Sequence, residues 1–324
     1  MATHDGGRPG GPQVRVYHRA RADIIALWPM LMEPFRRLGA IPRAYLRQML
    51  IVAAVGLLPL VGVVLLNGSA LELYWMLELY FSIVWAGFFM VAFKTEGLKP
   101  LLAVGAYFFT SLVSVPLLRI ALTLGLSALR APFVDSPILL ISLPGAILGI
   151  GVPEEVTKSL ALFLIWRAFG IQPLRLFIFY GLLCGLGFGA TEGFGYQTGE
   201  NYAQVERTGD VAAYYTLNVL RLTSLPFLHA IWTGVAALFI WFGIRFPARR
   251  AGFFVLAIGI AAILHGAYDA LVGTEPVFSL VIAAVSVAIL GIYLAYADEF
   301  ERRLSAVVDV EPPVLEHVEA EVMP

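Results

Sequence analysis

Seven ionisable side chains lie in four successive apolar stretches of this chain, and their types are those that activate water. They are Glu154, Glu155, Lys158, Glu192, His229, His265 and Asp269. A carboxylate beside an imidazole can take a proton from water and deliver hydroxide to a carbonyl carbon, and both groups also bind metal ions. The residue types therefore predict hydrolytic chemistry, provided that the fold brings these side chains together.

The spacing of these residues favours shared helix faces. Glu154 and Glu155 lie four and three residues before Lys158. His265 lies four residues before Asp269, so the members of each set are neighbours on a helix surface. The simpler interpretation of the first set is a structural ion pair between Glu154 and Lys158, and Asp269 alone could be a helix-end residue. Hydrolytic chemistry requires instead that the faces of several helices converge.

The composition places these residues in a membrane protein. Of the 324 residues, 59% are hydrophobic and 14% are charged, whereas a soluble domain has roughly 25% charged residues. A membrane span needs about 20 predominantly apolar residues. Eight segments qualify: about 48–66, 73–93, 101–124, 147–166, 174–197, 222–243, 252–272 and 277–297. We therefore expect an all-α, polytopic transmembrane helix bundle of about eight spans. Residues 137–146 are expected to form a short interfacial or re-entrant piece, the alternative being one long, kinked fourth helix.

Basic residues are distributed unevenly between the two ends of these spans. Of the 22 Lys and Arg residues, seventeen fall in the two terminal segments and in the connections on the same side. The opposite side has only Arg130, Arg207 and Arg221. By the positive-inside rule, both termini are predicted to be cytoplasmic. We divide the chain into a basic cytoplasmic arm (1–47), a helical membrane domain (48–297) and an acidic, disordered cytoplasmic tail (298–324).

With this topology, four successive spans place their polar groups at a common depth. Glu154, Glu192, His229 and His265 each lie about five to eight residues from the exterior end of a span, or roughly 10 Å at 1.5 Å per residue. Charged side chains in hydrocarbon cost roughly 3 kcal/mol, so they normally face a bundle interior and mark function. Glycines at every fourth position let another helix approach closely beside Glu192. These glycines are Gly181, Gly185, Gly189 and Gly193.

Two other functions fit an intramembrane cluster of this kind. Proton- or cation-coupled transporters use relays of Glu, His and Lys. Against this alternative, the chain has no inverted repeat, and the cluster is expected near one membrane surface rather than at the midplane. A catalytically silent scaffold is the other alternative, and the complete set of acidic and histidine residues argues against it.

Residues outside the cluster are interpreted as structural. We assign no catalytic role to Glu72, Glu78 or Arg119, which can pair with one another in the second and third spans. Cys184 is the only cysteine, which excludes a disulfide framework within the chain. The basic N-terminal arm precedes a membrane span and is therefore expected to contact anionic lipid, with no nucleic-acid partner.

The ordered set of motifs resembles the PrsW-type intramembrane proteases, distant relatives of the CAAX prenyl proteases. The similarity covers roughly residues 145–275, the expected catalytic core. The matching motifs are Glu154-Glu155-x-x-Lys158, Phe188-Gly-Ala-Thr-Glu192, Leu228-His229 and His265-x-x-x-Asp269. Each motif is common alone, but their order on four successive spans is specific. One departure is Gly193, since relatives usually have Asn after the glutamate of the second motif.

The resemblance implies an intramembrane endopeptidase that cleaves a membrane-anchored protein close to the outer membrane surface. In such enzymes the substrate is often a regulator such as an anti-sigma factor, and the enzyme is a multi-pass protein of a bacterial inner or plasma membrane. By motif position, Glu154 or Glu155 is the general base, with Glu154 slightly favoured. Lys158 is expected to tune the charge of both carboxylates.

The resemblance also implies a metalloprotease, and zinc suits His and carboxylate donors. The expected metal ligands are His229, His265 and Glu155, with Asp269 orienting His265 and Glu192 as a further site residue. The alternative is a metal-free scheme in which glutamate and histidine activate water and the last motif stabilises the oxyanion.

Overall fold

The computed structural model describes residues 12–37, 39, 41–50, 53, 74–93, 95, 97–272 and 274–308. Within these residues the protein is helical and has no strand, as predicted. Most of the first predicted span, 48–66, lies outside the described residues, as do Glu72 and the end of the C-terminal tail. Residues 43–50 are helical. The other helices are α1 Pro12–Arg36, α2 Tyr74–Ala92, α3 Pro100–Val134, α4 Leu139–Phe169, α5 Leu174–Thr198, α6 Glu200–Thr208, α7 Val211–Arg245, α8 Arg250–Val272, α9 Pro276–Ala295 and α10 Ala297–Val308.

Six helical segments of the described chain are long and apolar enough to cross a membrane, and they coincide with the third to eighth predicted spans. They are Pro100–Val134, Leu139–Phe169, Leu174–Thr208, Val211–Arg245, Pro247–Val272 and Pro276–Ala295. The second predicted span is the 19-residue apolar helix α2. The protein is therefore an integral, multi-pass membrane protein.

Helix α7 forms the centre of the bundle. The most apolar part of this helix is buried along its whole length, whereas the other spans expose part of their surface. Helix α5 packs along it through the predicted glycine ridge. A methyl group at Gly185 would overlap the backbone of His229, and one at Gly189 would overlap Pro226. The absence of side chains on this ridge thus lets α5 lie against the segment of α7 that contains His229.

Helix α4 is continuous from Leu139 to Phe169, so the alternative of one long fourth helix is correct and the separate short piece is wrong. The helix accommodates Pro144 and Pro153 by widening into a π turn at Ile147–Gly151. Proline removes a helical hydrogen bond, and π turns absorb such irregularities. Added methyl groups at Gly151 and Gly266 would overlap the facing backbone of α8 and α4, so the two helices touch there. This contact fixes α4 immediately before Glu154.

Helix α3 bends along its length. It contains π turns at Thr110–Ser114 and Leu122–Leu126, and inside the second turn Gly125 has φ 126°. That φ lies outside the right-handed helical region and favours glycine. Arg119 lies between the two π turns, and Arg130 lies beyond the bend.

The exterior connection 198–221 and the described start of the C-terminal tail are helical. The connection 198–221 forms α6 and the first turns of α7. These helices are joined by a 2.6 Å hydrogen bond from Asn201 Nδ2 to Asn218 Oδ1, and Asp210 caps α7 by accepting from the Ala213 amide. Helix α10 includes residues 298–308 of the tail that was predicted to be disordered. In the N-terminal arm, α1 packs against α8, where Gly252 meets Asp23. Apolar packing and capping thus order more of the chain than composition indicated.

Candidate active site

All seven predicted site residues meet in one connected cluster. Helix α4 contributes Glu154, Glu155 and Lys158, α5 contributes Glu192, α7 contributes His229, and α8 contributes His265 and Asp269. The two imidazole rings lie 4.8 Å apart, centre to centre, and meet nearly edge to face. The four helices therefore converge as the spacing predicted.

His265 lies at the centre of the cluster and has carboxylates on both sides. Its Nδ1 is 3.0 Å from Glu155 Oε1, whereas its Nε2 is 3.6 Å from Glu154 Oε2 and 3.2 Å from Asp269 Oδ2. The imidazole also stacks on Trp232, whose Nε1 donates to Ser286 Oγ at 3.0 Å. These contacts fix both the position and the rotation of the imidazole.

Glu155 is the structural partner of the buried lysine. Lys158 Nζ donates to Glu155 Oε1 at 2.8 Å and lies 3.4 Å from Glu154 Oε2. Thr233 Oγ1 lies 3.4 Å from the other oxygen of Glu155, and Lys158 sits 4.3 Å above the Phe188 ring. A carboxylate paired with a lysine is only an acceptor, so the Nδ1 of His265 carries the hydrogen in this contact. The Nε2 of His265 lies on the other side of the ring, near Glu154 and Asp269.

His229 has a carboxylate contact of its own. Its Nε2 lies 2.9 Å from Glu192 Oε2, although without the angles of a hydrogen bond. In the described part of the chain, neither ring nitrogen of His229 has a hydrogen-bond partner, and the same holds for Glu154 Oε2 and Glu192 Oε2. Leaving a buried polar atom unsatisfied costs about 1–3 kcal/mol. These four atoms thus mark a place where an exogenous polar group, either water or a metal ion, is favoured.

The donor set suits a metal ion. One ligand atom each of Glu154, His229 and His265 lies within 4.8 Å of the other two, and two histidines with one glutamate are a donor set of catalytic zinc sites. The structure groups Glu154, rather than the predicted Glu155, with the histidines. Glu155 instead contacts the far side of His265, which is where metal-binding histidines usually have an orienting carboxylate.

A cavity of about 430 Å³ opens beside this cluster. Its wall includes Glu154, Glu192 and Asp269 together with apolar residues of α3 and α7. Glu155, Lys158 and both histidines lie behind this wall and are at most 1% exposed. The cavity can therefore admit water and a peptide segment to Glu154 while excluding them from the ion pair between Glu155 and Lys158.

Two residues that support the site were not predicted from the sequence. Trp232 lies three residues after His229 and stacks on His265, and Thr233 lies beside Glu155. A tryptophan in an apolar span is ordinarily a packing residue, so only its helical spacing from His229 could have indicated this position.

Replacing Lys158 by methionine should destabilise the protein strongly. The substitution leaves Glu155 fully buried without its cation, and breaking a buried ion pair from one side costs about 3–5 kcal/mol. Thermal unfolding in detergent measures the loss. The double variant Lys158→Met/Glu155→Gln is expected to recover a large part of it, and equal stability of the single and double variants would contradict the pairing.

Comparison with known proteins identifies a family. A family model described as PrsW family intramembrane metalloprotease matches residues 112–297, more than half of the chain and the whole site. No curated protein and no solved structure matches the chain significantly.

Proposed function

The chain belongs to the PrsW family of intramembrane metalloproteases, and we propose that it cleaves a membrane-anchored protein near the outer surface of the bilayer. The observation that carries the proposal is the meeting of Glu154, His229 and His265 beside a cavity. Helices long enough to span the bilayer supply all three residues. A peptide hydrolase of the membrane needs such a water-accessible polar site at membrane depth.

The outer location of the reaction follows from the topology that we propose. The excess of Lys and Arg on one side favours cytoplasmic termini. In this topology the arm 1–47 and the segment from 298 onward are cytoplasmic. They flank one catalytic membrane domain, residues 48–297. In that orientation Glu154 lies in the outer half of the bilayer, and the cavity is open to the exterior face.

Glu154 is the carboxylate to which we assign the proton transfer. Its Oε2 has no hydrogen-bond partner among the described residues and lies 3.6 Å from His265 Nε2, and the residue lines the cavity. We propose that it takes a proton from water as the peptide carbonyl is attacked and later delivers that proton to the leaving amine. One ring nitrogen of each histidine lies within 4.8 Å of a carboxylate oxygen of Glu154 and can hydrogen-bond the water or the carbonyl oxygen.

The family is one of metalloproteases, and the residues present fit a metal ion. His229, His265 and Glu154 are the residues that would hold it, and one carboxylate oxygen suffices as a ligand, leaving the other for the proton. Such an ion would lower the pKa of water and polarise the carbonyl. This assignment replaces Glu155 by Glu154 among the expected ligands.

The remaining acidic residues are proposed to position the histidines. Glu155 contacts His265 Nδ1, and Glu192 contacts His229 Nε2, so each imidazole has at least one carboxylate partner. Asp269, one turn after His265, contacts its Nε2 side and lines the cavity. Lys158 neutralises Glu155, which keeps this carboxylate ionised and accepting from His265.

The substrate class proposed is a membrane-anchored regulator, such as an anti-sigma factor, in a bacterial inner or plasma membrane. The transporter alternative is set aside because the chain belongs to a protease family. The silent-scaffold alternative is opposed by the complete set of acidic and histidine residues in contact with one another.

The test is cleavage by the purified full-length protein in lipid nanodiscs. Single-span proteins of the same cell, expressed with an exterior tag, serve as candidate substrates, and mass spectrometry locates any cleaved bond. We expect cleavage at the exterior end of a span by the unsubstituted protein and none by His229→Ala. Cleavage that persists at an equal rate in His229→Ala would overturn the proposed site.

A further inference from the structure

Three arginines line the same cavity as Glu154. They are Arg119 and Arg130 on α3 and Arg221 on α7. Two of them belong to the three basic residues predicted for the exterior side, and Arg119 lies within a span. Positive charge is thus scarce on this side of the protein and is concentrated around the cavity.

None of the three guanidinium groups forms an ion pair with a described residue. Arg130 Nη1 donates to the Gly149 carbonyl at 3.2 Å, and the Arg221 guanidinium lies 3.3 Å from the centre of the Tyr196 ring. Arg119 lies against Gly195. A carbonyl and an aromatic face position these side chains without neutralising them, and each guanidinium has five donors to satisfy.

Cations at membrane depth that have no ion-pair partner among the described residues need a physical reason. Arg and Lys within spans normally pair with other groups or mark the path of a substrate. The partner that best matches a guanidinium is a carboxylate, which can accept two parallel hydrogen bonds. The carboxylates that line the cavity, Glu154, Glu192 and Asp269, contact Lys158 or the histidines instead. The three guanidinium groups therefore keep donors for an anionic group that enters the cavity.

We propose that Arg119, Arg130 and Arg221, here called the arginine wall, bind an acidic side chain of the substrate close to the scissile bond. This inference rests on the proposed function. A substrate peptide is favoured over a lipid headgroup because the wall and Glu154 line one cavity. A resident lipid phosphate would occupy the space beside Glu154 that the reacting bond needs.

A neighbouring groove supports a peptide as the occupant. Between the end of α3 and the start of α4 lies an apolar groove of about 560 Å³, and Arg130 lines both this groove and the cavity. An apolar segment of a substrate seated in the groove would carry its adjoining polar residues past Arg130 and into the cavity. The wall thus selects substrates with a glutamate or aspartate next to the membrane-embedded segment.

The experiment measures peptide binding to the full-length protein carrying Glu154→Gln, which keeps the probe uncut. Two fluorescein-labelled peptides each contain a Leu/Ala-rich segment of about 20 residues, long enough to span the bilayer. One has two glutamates in its exterior flank and the other has two glutamines. Fluorescence anisotropy in neutral phosphatidylcholine nanodiscs gives the ratio of the two dissociation constants.

We expect the glutamate peptide to bind about tenfold more tightly, because hydrogen bonds to charged groups are the stronger class. Arg119→Gln and Arg221→Gln should each reduce this preference, and Arg119→Lys, which keeps the charge, should retain part of it. Arg207→Gln is the matched control, since Arg207 is an exposed arginine of α6 that does not line the cavity. It should leave the preference unchanged.

Three outcomes would overturn the inference. The first is equal binding of the two peptides, and the second is an equal loss of preference in Arg207→Gln. The third is that anionic phosphatidylglycerol nanodiscs abolish the preference, which would assign the wall to lipid headgroups.

Cleavage of both peptides by the unsubstituted protein is measured separately. Cleavage without an acidic preference removes only this inference, whereas preferential binding without cleavage of any substrate counts against the proposed function.

Discussion

Replacing Glu154 by glutamine is expected to lower the rate of substrate cleavage by about 10²- to 10⁴-fold, the usual contribution of a positioned general base. Glutamine has nearly the same shape but cannot accept the proton of water. Lys158 keeps its hydrogen bond to Glu155 in this variant, so the protein should still fold, which thermal unfolding checks. Single-turnover cleavage of an identified substrate in nanodiscs measures the effect.

Two further variants separate the role of Glu154 from those of its neighbours. Glu192→Gln removes the carboxylate that contacts His229, and loss of such an orienting group typically costs about 10- to 100-fold. Glu275→Gln, in the connection between α8 and α9, should retain full activity. If Glu192→Gln is inactive while Glu154→Gln cleaves normally, the proton acceptor is Glu192.

The meeting of four helices could be predicted because it depends on features that a sequence displays. Helical spacing placed Glu154 and Lys158 on one face, and a count of residues along each span placed His229 and His265 at the same depth. The recurrence of glycine on α5 indicated a close helix contact, which the structure locates at Gly185 and Gly189. Such regularities follow from helix geometry alone.

The distinction between the two glutamates could not be predicted, because adjacent residues point in directions that depend on helix rotation. The π turn Ile147–Gly151 and the contact of Gly151 with α8 set that rotation. As a result Lys158 donates to Glu155, three residues away, and only approaches Glu154, four residues away. Local spacing allowed either pairing, and packing between helices decided it.

The meeting of the three arginines at one cavity was not predicted from the sequence, for a related reason. Arg119 was interpreted as a partner of Glu72 or Glu78, and Arg130 and Arg221 served only to set the topology. The bend of α3 at Gly125 and the extra turns at the start of α7 bring them to one cavity. The first turns of α7 are polar, so the hydropathy of the sequence placed the start of the sixth span at residue 222. The full length of that helix could therefore not be predicted.

Removing either histidine of the site is expected to abolish metal binding. His229→Ala and His265→Ala each delete one of three protein ligands of the metal. A catalytic zinc site ordinarily has three protein ligands, with water as the fourth. The purified protein should contain a stoichiometric divalent metal ion, most simply zinc, and each variant should lose it. Elemental analysis after gel filtration measures the content, and His18→Ala, which changes a histidine of α1, is the matched control.

Substituting a carboxylate partner of the histidines should lower metal affinity less than removing a histidine does. Glu155→Gln leaves all three donors in place but removes the acceptor for His265 Nδ1, so metal affinity should fall by about 10- to 100-fold. Titration with a competing chelator resolves this intermediate loss from the complete loss in His265→Ala. Full proteolytic activity in protein freed of metal would instead support the scheme in which Glu154 and the histidines activate water unaided. In that case His229→Ala would lower the cleavage rate without any change in metal content, and the contacts of Glu155 and Glu192 with the imidazoles would serve proton transfer rather than metal binding.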